Sequence, residues 1–285
     1  MLESYYILPP NNPNFGPGGG VGAYITQNGP TSGYNALQVQ FQHTLSHGLQ
    51  ALAFYTWSHS IDDASSNFDL SDLLERASSD FDIRNNFQLA MTYDVPGQYP
   101  NRMLSGLLKH WAFDTRVTAR SALPVDIVGA NSYNTVINAY VSFHPNLVPG
   151  QQLYLYGSAY PGGKIINYNA FNIPTSGPGF DSEGDTPRNY ARGFGAWQMN
   201  FALRREFPIH ERLRLQFRAE AFNLFNHPAF SSVNGNLTYG PYNPSCLCGF
   251  GGSRGTLSSY GAGNLNSLYA TGGPRSLQLA LKLIF

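Results

Sequence analysis

Seven stretches of the chain alternate apolar and polar residues, and this period of two limits its possible folds more than any other feature. Ala36 to Thr44 sets Leu37, Val39 and Phe41 against Gln38, Gln40 and Gln42. Leu49 to Ser60 gathers Leu49, Ala51, Ala53, Tyr55 and Trp57 on one face, while Leu52 and Phe54 make its other face less polar. Asn86 to Asp94 opposes Phe87, Leu89, Met91 and Tyr93 to Gln88, Thr92 and Asp94. In Trp111 to Ser121, Trp111, Phe113, Val117 and Ala119 face away from Asp114, Arg116, Thr118 and Arg120. Ala196 to Arg205 separates Trp197, Met199, Phe201 and Leu203 from Gln198, Asn200 and Arg204. Leu213 to Phe222 does the same with Leu213, Leu215, Phe217 and Ala219 against Arg214, Gln216, Arg218 and Glu220. The last, Ser276 to Phe285, places Leu277, Leu279, Leu281, Leu283 and Phe285 opposite Gln278, Ala280, Lys282 and Ile284. Each runs for about 9 to 12 residues, enough for a tilted strand to cross a bilayer, whereas strands of soluble proteins average about 5 to 6.

Composition narrows the class. In 285 residues, 17 Lys+Arg balance 17 Asp+Glu, so no net charge recommends a nucleic-acid partner. Charged residues make up 12% of the chain, about half of the roughly 25% usual in soluble domains, and aromatics reach 14%. Mean hydropathy is −0.25, and no run approaches the roughly 18 apolar residues of a spanning helix. A transmembrane β-barrel fits, because alternating strands keep average hydropathy low while one face meets lipid. The terminal stretch argues the same way. Five large apolar residues on one face of the last strand need a cover, and lipid can supply it. In an outer-membrane barrel, Leu277, Leu279, Leu281, Leu283 and Phe285 would stand where the assembly signal is expected, read by the outer-membrane assembly machinery.

The connections alternate in length. Leu45 to Gly48 and Glu206 to Arg212 are short and Val95 to His110 is moderate, whereas Ile61 to Asn85, Leu123 to Gly195 and Asn223 to Arg275 are long. Short inner turns alternating with long outer loops are the habit of outer-membrane barrels. Placing the long links outside puts Phe285 on the periplasmic side. Such barrels close with an even number of strands, from 8 upward, so the chain is expected to supply about 7 to 8 strands of a larger barrel. Residues 1–33, or Tyr133 to Phe143, are candidates for a further strand; otherwise 1–33 belong to an extracellular loop and 34–285 form the barrel portion. The amino terminus, MLESYYILPPNNPNFGPGGG, lacks the basic start and apolar core of a secretory signal, so the sequence is expected to be a fragment of an outer-membrane protein.

Several longer strings are more specific. YTWSHSIDDASS (Tyr55 to Ser66), FDIRNNFQLAMTYDVP (Phe81 to Pro96), the segment Phe171 to Ile209, and LRLQFRAEAFNLFNHPAF (Leu213 to Phe230) resemble the carboxyl-terminal barrel of Oar-like TonB-dependent outer-membrane receptors. The resemblance spans roughly Tyr34 to Phe285, and the terminal Phe285 fits it. It implies a 22-stranded barrel with a plug and an amino-terminal regulatory-like domain, importing bulky solutes with energy relayed through TonB. The plug and the TonB-contacting segment would lie in a missing amino-terminal part.

Candidate chemistry is concentrated in four places. The polar faces carry Arg116, Arg120, Arg204, Arg214 and Arg218, with Asp114 and Glu220 among them, and read either as a substrate path through the lumen or as a solvated or plug-contacting wall of cross-strand charge pairs. Asp62, Asp63, Asp69, Asp72, Glu75, Asp80 and Asp82 lie within 21 residues, opposed there only by Arg76; their spacing does not match a calcium loop, and a solvated surface is expected. Cys246 and Cys248 can bond to each other or stay free, and two cysteines do not complete a zinc site. Tyr55, Trp57, Tyr93, Trp111 and Trp197 fall near strand ends, where rings settle at a membrane interface.

Enzyme-like strings fail on context. Gly251, Ser253 and Gly255 satisfy G-x-S-x-G without a preceding strand or following helix, and Gly18, Gly20 and Ala23 imitate a dinucleotide loop with no strand before it. His43 and His47 are four apart at a strand end and turn, without a zinc-protease glutamate. No catalytic residue, cofactor or metal site is therefore expected. The expected fold is all-β, an incomplete antiparallel transmembrane barrel with long extracellular loops. Uptake or binding of a bulky external solute is the function the resemblance implies. The alternatives are a structural or adhesive surface barrel, a nonfunctional remnant, or a soluble β-sandwich.

Overall fold

The computed structural model describes residues 3–7, 23–27, 31–63, 65, 76–96, 102–129, 132–134, 139–141, 143–174, 184–210, 213–257 and 271–285. Its organising element is one antiparallel sheet in which seven long strands follow each other in chain order. They are β1 (Ser32–Ser46), β2 (Leu49–Asp62), β3 (Asn85–Asp94), β4 (Trp111–Arg120), β5 (Ala196–His210), β6 (Leu213–Phe222) and β7 (Ser276–Ile284). All seven period-two stretches are strands of this sheet. Ala77–Ser78 adds a short rung to the far end of β2. β1 and β7 form the two edges, and the sheet is open.

Turn chemistry sets the register. β1 and β2 meet through His47 (φ 52) and Gly48 (φ 83), two consecutive left-handed residues of the kind that match the twist of a tight hairpin. At Gly48 a Cβ would lie 2.1 Å from the Asp94 carbonyl oxygen, so the closeness of β3 as well as the φ value demands glycine. β5 and β6 pair through His210 and Leu213, and β3 is linked to β4 through the helix α1 (Arg102–Leu108).

That register carries each face unbroken across the strands. On one side, Val39, Tyr55, Phe87, Ala119 and Trp197 form one cross-strand row, and Leu89, Val117 and Met199 form the next. Leu203, Ala219 and Leu279 continue the same face to the edge. Most of it has no cover among the described residues: Leu37, Phe41, Trp57, Leu277, Leu279 and Leu281 are all exposed, Leu279 by 72%. A soluble sandwich would bury this side against a second sheet, and among the described residues none packs on it.

The hydrophobic core lies elsewhere, in the long links. Val125, Ile127, Ile166, Ala170, Phe171, Ala191, Leu237 and Phe250 are buried together, with Phe250 edge-on to Tyr168 and Phe171. Two-strand pairs brace them: Asn146–Leu147 with Phe171–Asn172, Tyr154–Tyr156 with Lys164–Ile166, and Pro124–Val125 with Ala191–Arg192. At Gly251 (φ 82) an added Cβ would meet the Ile166 carbonyl oxygen at 2.2 Å, so glycine lets the last link close on the middle one. The long links are therefore one packed body rather than separate loops.

The two candidate regions for a further strand are described only in part. Ser132–Asn134 pairs with Ala139–Val141, and Glu3–Ile7 pairs with Ala23–Gln27. The described segments, of three and five residues, are shorter than a strand that crosses a bilayer core. Among the described residues no helix is long and apolar enough to cross a membrane.

Candidate functional site

The polar side of the sheet is a continuous charged wall. Register places Asp114 between Thr92 and Ala202, Arg204 beside Arg218, and Glu220 beside Gln278. Their side chains form one network. Arg204 reaches Asp94 at 3.0 Å and Asp114 at 3.3 Å; Arg218 reaches Glu220 at 2.8 Å and Asp114 at 3.7 Å; the Thr92 hydroxyl donates to Asp114 at 2.9 Å. A concavity of about 510 Å³ opens beside it, lined by Gln50, Leu52, Thr92, Arg116, Arg218 and Glu220, among others.

The six singled-out polar residues divide accordingly. Arg116, Arg218 and Glu220 line the concavity, and Arg204 joins them through Asp114. Arg214 lies apart at the inner end, where Glu206 pairs with it at 3.4 Å and accepts from Gln216 at 3.0 Å. Arg120 sits at the opposite end and donates to the Ser121 carbonyl at 3.4 Å. All but Arg116 of these cations have a protein partner among the described residues, and Arg116 is exposed. Each strand contributes through its polar parity alone, since neighbours two residues apart share a face.

At the outer ends of the strands stands a second polar cluster, which sequence reading took for a solvated surface. Asp62, Asp63 and Asp82 are instead buried. Asp62 pairs with Arg188 at 3.0 Å, both side chains 1% exposed, and accepts from the Ser65 N–H and hydroxyl. Arg188 also donates to the carbonyl oxygens of Asp62 and Ser65. Asp82 takes Arg192 at 2.6 Å, Arg84 at 2.9 Å, the Ser60 N–H at 2.8 Å and His59 at 3.3 Å. Burial alone would raise the Asp82 pKa, but the hydrogen bonds from Arg192, Ser60 and His59 outweigh it and hold the carboxyl below its ordinary 3.8. Asn189, left-handed at φ 58, donates its side-chain amide to Ser78 O and Asp80, and its N–H to Asp126. Asp69, Asp72 and Glu75 lie outside the described residues.

Arg188, Asn189 and Arg192 thus tie the middle link to the first, and sequence reading missed them. The available signal was an imbalance: seven acids share the link with only two arginines, Arg76 and Arg84, so in a neutral chain further cations must come from elsewhere in the fold. The third link is anchored to the polar wall, where Gln198 accepts from the Gly272 N–H at 2.8 Å and Asn200 from the Asn223 N–H at 3.0 Å.

Inside the outer body, Lys164 donates to Gly193 O at 2.7 Å and lies over the Tyr154 ring, with burial lowering its pKa. Ser253 donates to Gly255 O at 2.9 Å and meets the Ser231 hydroxyl at 3.3 Å, with no histidine among its partners. His43 donates to Leu49 O, and His47 bonds Ser46. Cys246 and Cys248 are disulfide-bonded around Leu247. Among the described residues no group of three or more His, Cys, Asp and Glu is placed to hold a metal ion.

The apolar side has its own order. Tyr55, Phe87 and Trp197 mark its outer level, and Tyr93, Phe113 and Trp111 its inner one, with Tyr93 and Phe113 stacked at 6.5 Å. On β4, Trp111 and Phe113 precede Ala119 by eight and six residues, about 20 to 26 Å along the strand. On a strand tilted by about 35 to 45° that length rises by about 14 to 21 Å, so both aromatic levels fit within an apolar band about 25 Å tall. Leu277, Leu279, Leu281 and Leu283 share this face on edge strand β7, and Phe285 follows the strand, 91% exposed.

Neither the curated proteins nor the solved structures yield a match to this chain. A family described as an outer membrane beta barrel domain matches it over residues 8–278. That agrees with an uncovered apolar face, two aromatic levels and a charged opposite face on long meandering strands. The chain belongs to this outer membrane beta barrel domain family, and its location is accordingly the outer membrane.

Proposed function

We propose that the chain is part of the wall and outer surface of a TonB-dependent receptor-like barrel that binds or imports a bulky external solute. The observation that carries this reading is the outer body, a packed set of long links rooted on the polar wall through Gln198 and Asn200. A bulky solute needs a shaped, rigid external surface to be recognised, and ordered loops cut the entropy lost on binding. Arg116, Arg218 and Glu220 then offer a polar path below that surface. The resemblance to Oar-like receptors supplies the rest: a barrel of about 22 strands, TonB as the partner that relays energy, and the outer-membrane assembly machinery as the reader of Leu277 to Phe285. In this reading the protein performs no catalysis.

The test is uptake by the host. A deletion strain and its parent, the latter with and without a protonophore, are compared by profiling the solutes left in the medium. The same bulky solute remaining in the deletion culture and in the uncoupled parent supports energised import. No solute distinguishing the strains overturns it and leaves a structural or adhesive role.

A further inference from the structure

The aromatic row at the outer level of the apolar face has one gap. Tyr55, Phe87, Ala119 and Trp197 are cross-strand neighbours on β2, β3, β4 and β5, so Ala119 stands between two large rings. A groove of about 390 Å³ results, with Ala119 in its lining, Phe87 and Trp197 on either side, and Asn85, Ser121 and Gly195 at its outer end. Its walls are fixed. Trp197 is held from the third outer link by His227, stacked at 4.5 Å, and by Phe225 at 5.8 Å.

The polar atoms at the rim are already engaged. Tyr55 donates its hydroxyl to Asn85 Oδ1 at 2.7 Å, Asn85 N–H donates to Ser121 Oγ at 3.0 Å, and Ser121 N–H donates to Asn85 O at 2.9 Å. Arg120 also lines the groove, and its guanidinium donates to Ser121 O at 3.4 Å, so the groove offers mainly contact area, with one cation in its lining. It is also continuous with the row Leu89, Val117 and Met199, which leads down the face that a barrel turns to lipid. A flexible apolar rod entering at the outer level and running along the wall matches this shape.

We propose that the groove between Phe87 and Trp197 is a retention site for one fatty acyl chain of an outer-leaflet lipid. The inference rests on the outer-membrane family and the geometry of the face, independently of whether the protein imports a solute. A lipid held there braces Trp197, and through its stacked His227 links the membrane boundary to the outer body.

The full-length protein, extracted from outer membranes in mild detergent, is weighed intact by native mass spectrometry. The wild type is expected to keep an acyl-lipid adduct that Ala119→Phe, which fills the gap, reduces by roughly tenfold, or about 1.4 kcal/mol of binding. Heat-modifiable gel migration checks that the variant folds. Should it not fold, a W57F/W111F protein is placed in phosphatidylcholine vesicles doped with brominated acyl chains, and the Trp197 signal is taken as its difference from the same protein carrying W197F as well. Quenching that saturates well below the bulk fraction of brominated lipid upholds the site. No adduct on the wild type, an equal adduct on Ala119→Phe, or quenching that simply follows the bulk fraction overturns it.

Discussion

The seven-stranded wall and the outer body are built on opposite plans within one chain. The wall keeps its large apolar side chains on an uncovered face, Leu279 among them, and holds together through ladder hydrogen bonds and cross-strand pairs. The outer body hides Ile127 and Phe250 completely and closes over buried ion pairs such as Asp62–Arg188. One region takes hydrocarbon as its solvent and the other water. The two plans should therefore fail separately, and mutations that tell them apart are the means to challenge the distinction.

The largest effects belong in the outer body. Phe250→Ala removes a ring at the centre of its core and should cost about 3 to 5 kcal/mol. Arg188→Ala leaves the Asp62 carboxylate buried without that partner, a loss of about 3 to 5 kcal/mol. Replacing both members at once, Asp62→Leu with Arg188→Met, should restore much of that stability, because the desolvation cost disappears with the charges. In each single variant protease is expected to cut the outer links while the wall keeps its heat-modifiable migration. Simultaneous loss of both would mean that they are one cooperative unit.

On the wall the prediction reverses. Leu279→Arg sets a charge on the lipid side and should destabilise the folded protein by about 2 to 4 kcal/mol near the midplane, whereas Lys282→Gln on the other side should change little. Urea titrations in lipid vesicles measure both. Equal effects would show that the two faces do not meet different solvents.

Acid provides a smaller, graded test. Because the folded pKa of Asp82 lies below its ordinary 3.8, its contribution is complete above about pH 4 and is lost as pH falls through the folded value. Near-UV circular dichroism from the aromatic core should hold steady from neutral pH to about pH 4 and decline below that, while the far-UV strand signal persists. Asp82→Asn should weaken the body at neutral pH and flatten the acid transition. A loss that begins near pH 6 would point to a different group.

These regions also differ in how much of them the sequence discloses. The wall is legible because alternation is a local property: Leu213 to Phe222 can be delimited from its own residues, and the observed strand has those bounds. Where a polar or small residue interrupts the apolar face, as Gly33 and Asn35 do before Leu37 and Arg205 does between Leu203 and Phe207, the pattern is broken, so β1 begins at Ser32 rather than Ala36 and β5 runs on to His210 rather than ending at Arg205. In the outer body, Arg188 meets Asp62 and Arg192 meets Asp82 across separations of 126 and 110 residues, and no periodicity encodes such a pairing. Only the surplus of acids hinted at it. The candidate path is legible as residue types on a face, but which arginines are paired becomes evident only from register. The groove at Ala119 is subtler still, since its absence of bulk matters only once Phe87 and Trp197 are known to flank it.

The smallest effect sharpens the comparison most, because it concerns charges that both plans use. Arg218 and Glu220 stand 2.8 Å apart, as close as many buried pairs, yet each side chain keeps appreciable exposure and they lie two residues apart on one strand. Water in the lumen screens such a pair, so a double-mutant cycle of Arg218→Gln and Glu220→Gln should give a coupling of about 0.2 to 1 kcal/mol. Asp114 also faces Arg218, at 3.7 Å, so the single Arg218→Gln change should cost slightly more than its counterpart on Glu220. The cycle, read from urea midpoints in vesicles at low and high salt, should shrink as salt rises. A coupling of about 3 kcal/mol that ignored salt would place this network in the same dry setting as Arg188 and Asp62. The polar wall would then be covered by another packed body instead of facing an aqueous lumen.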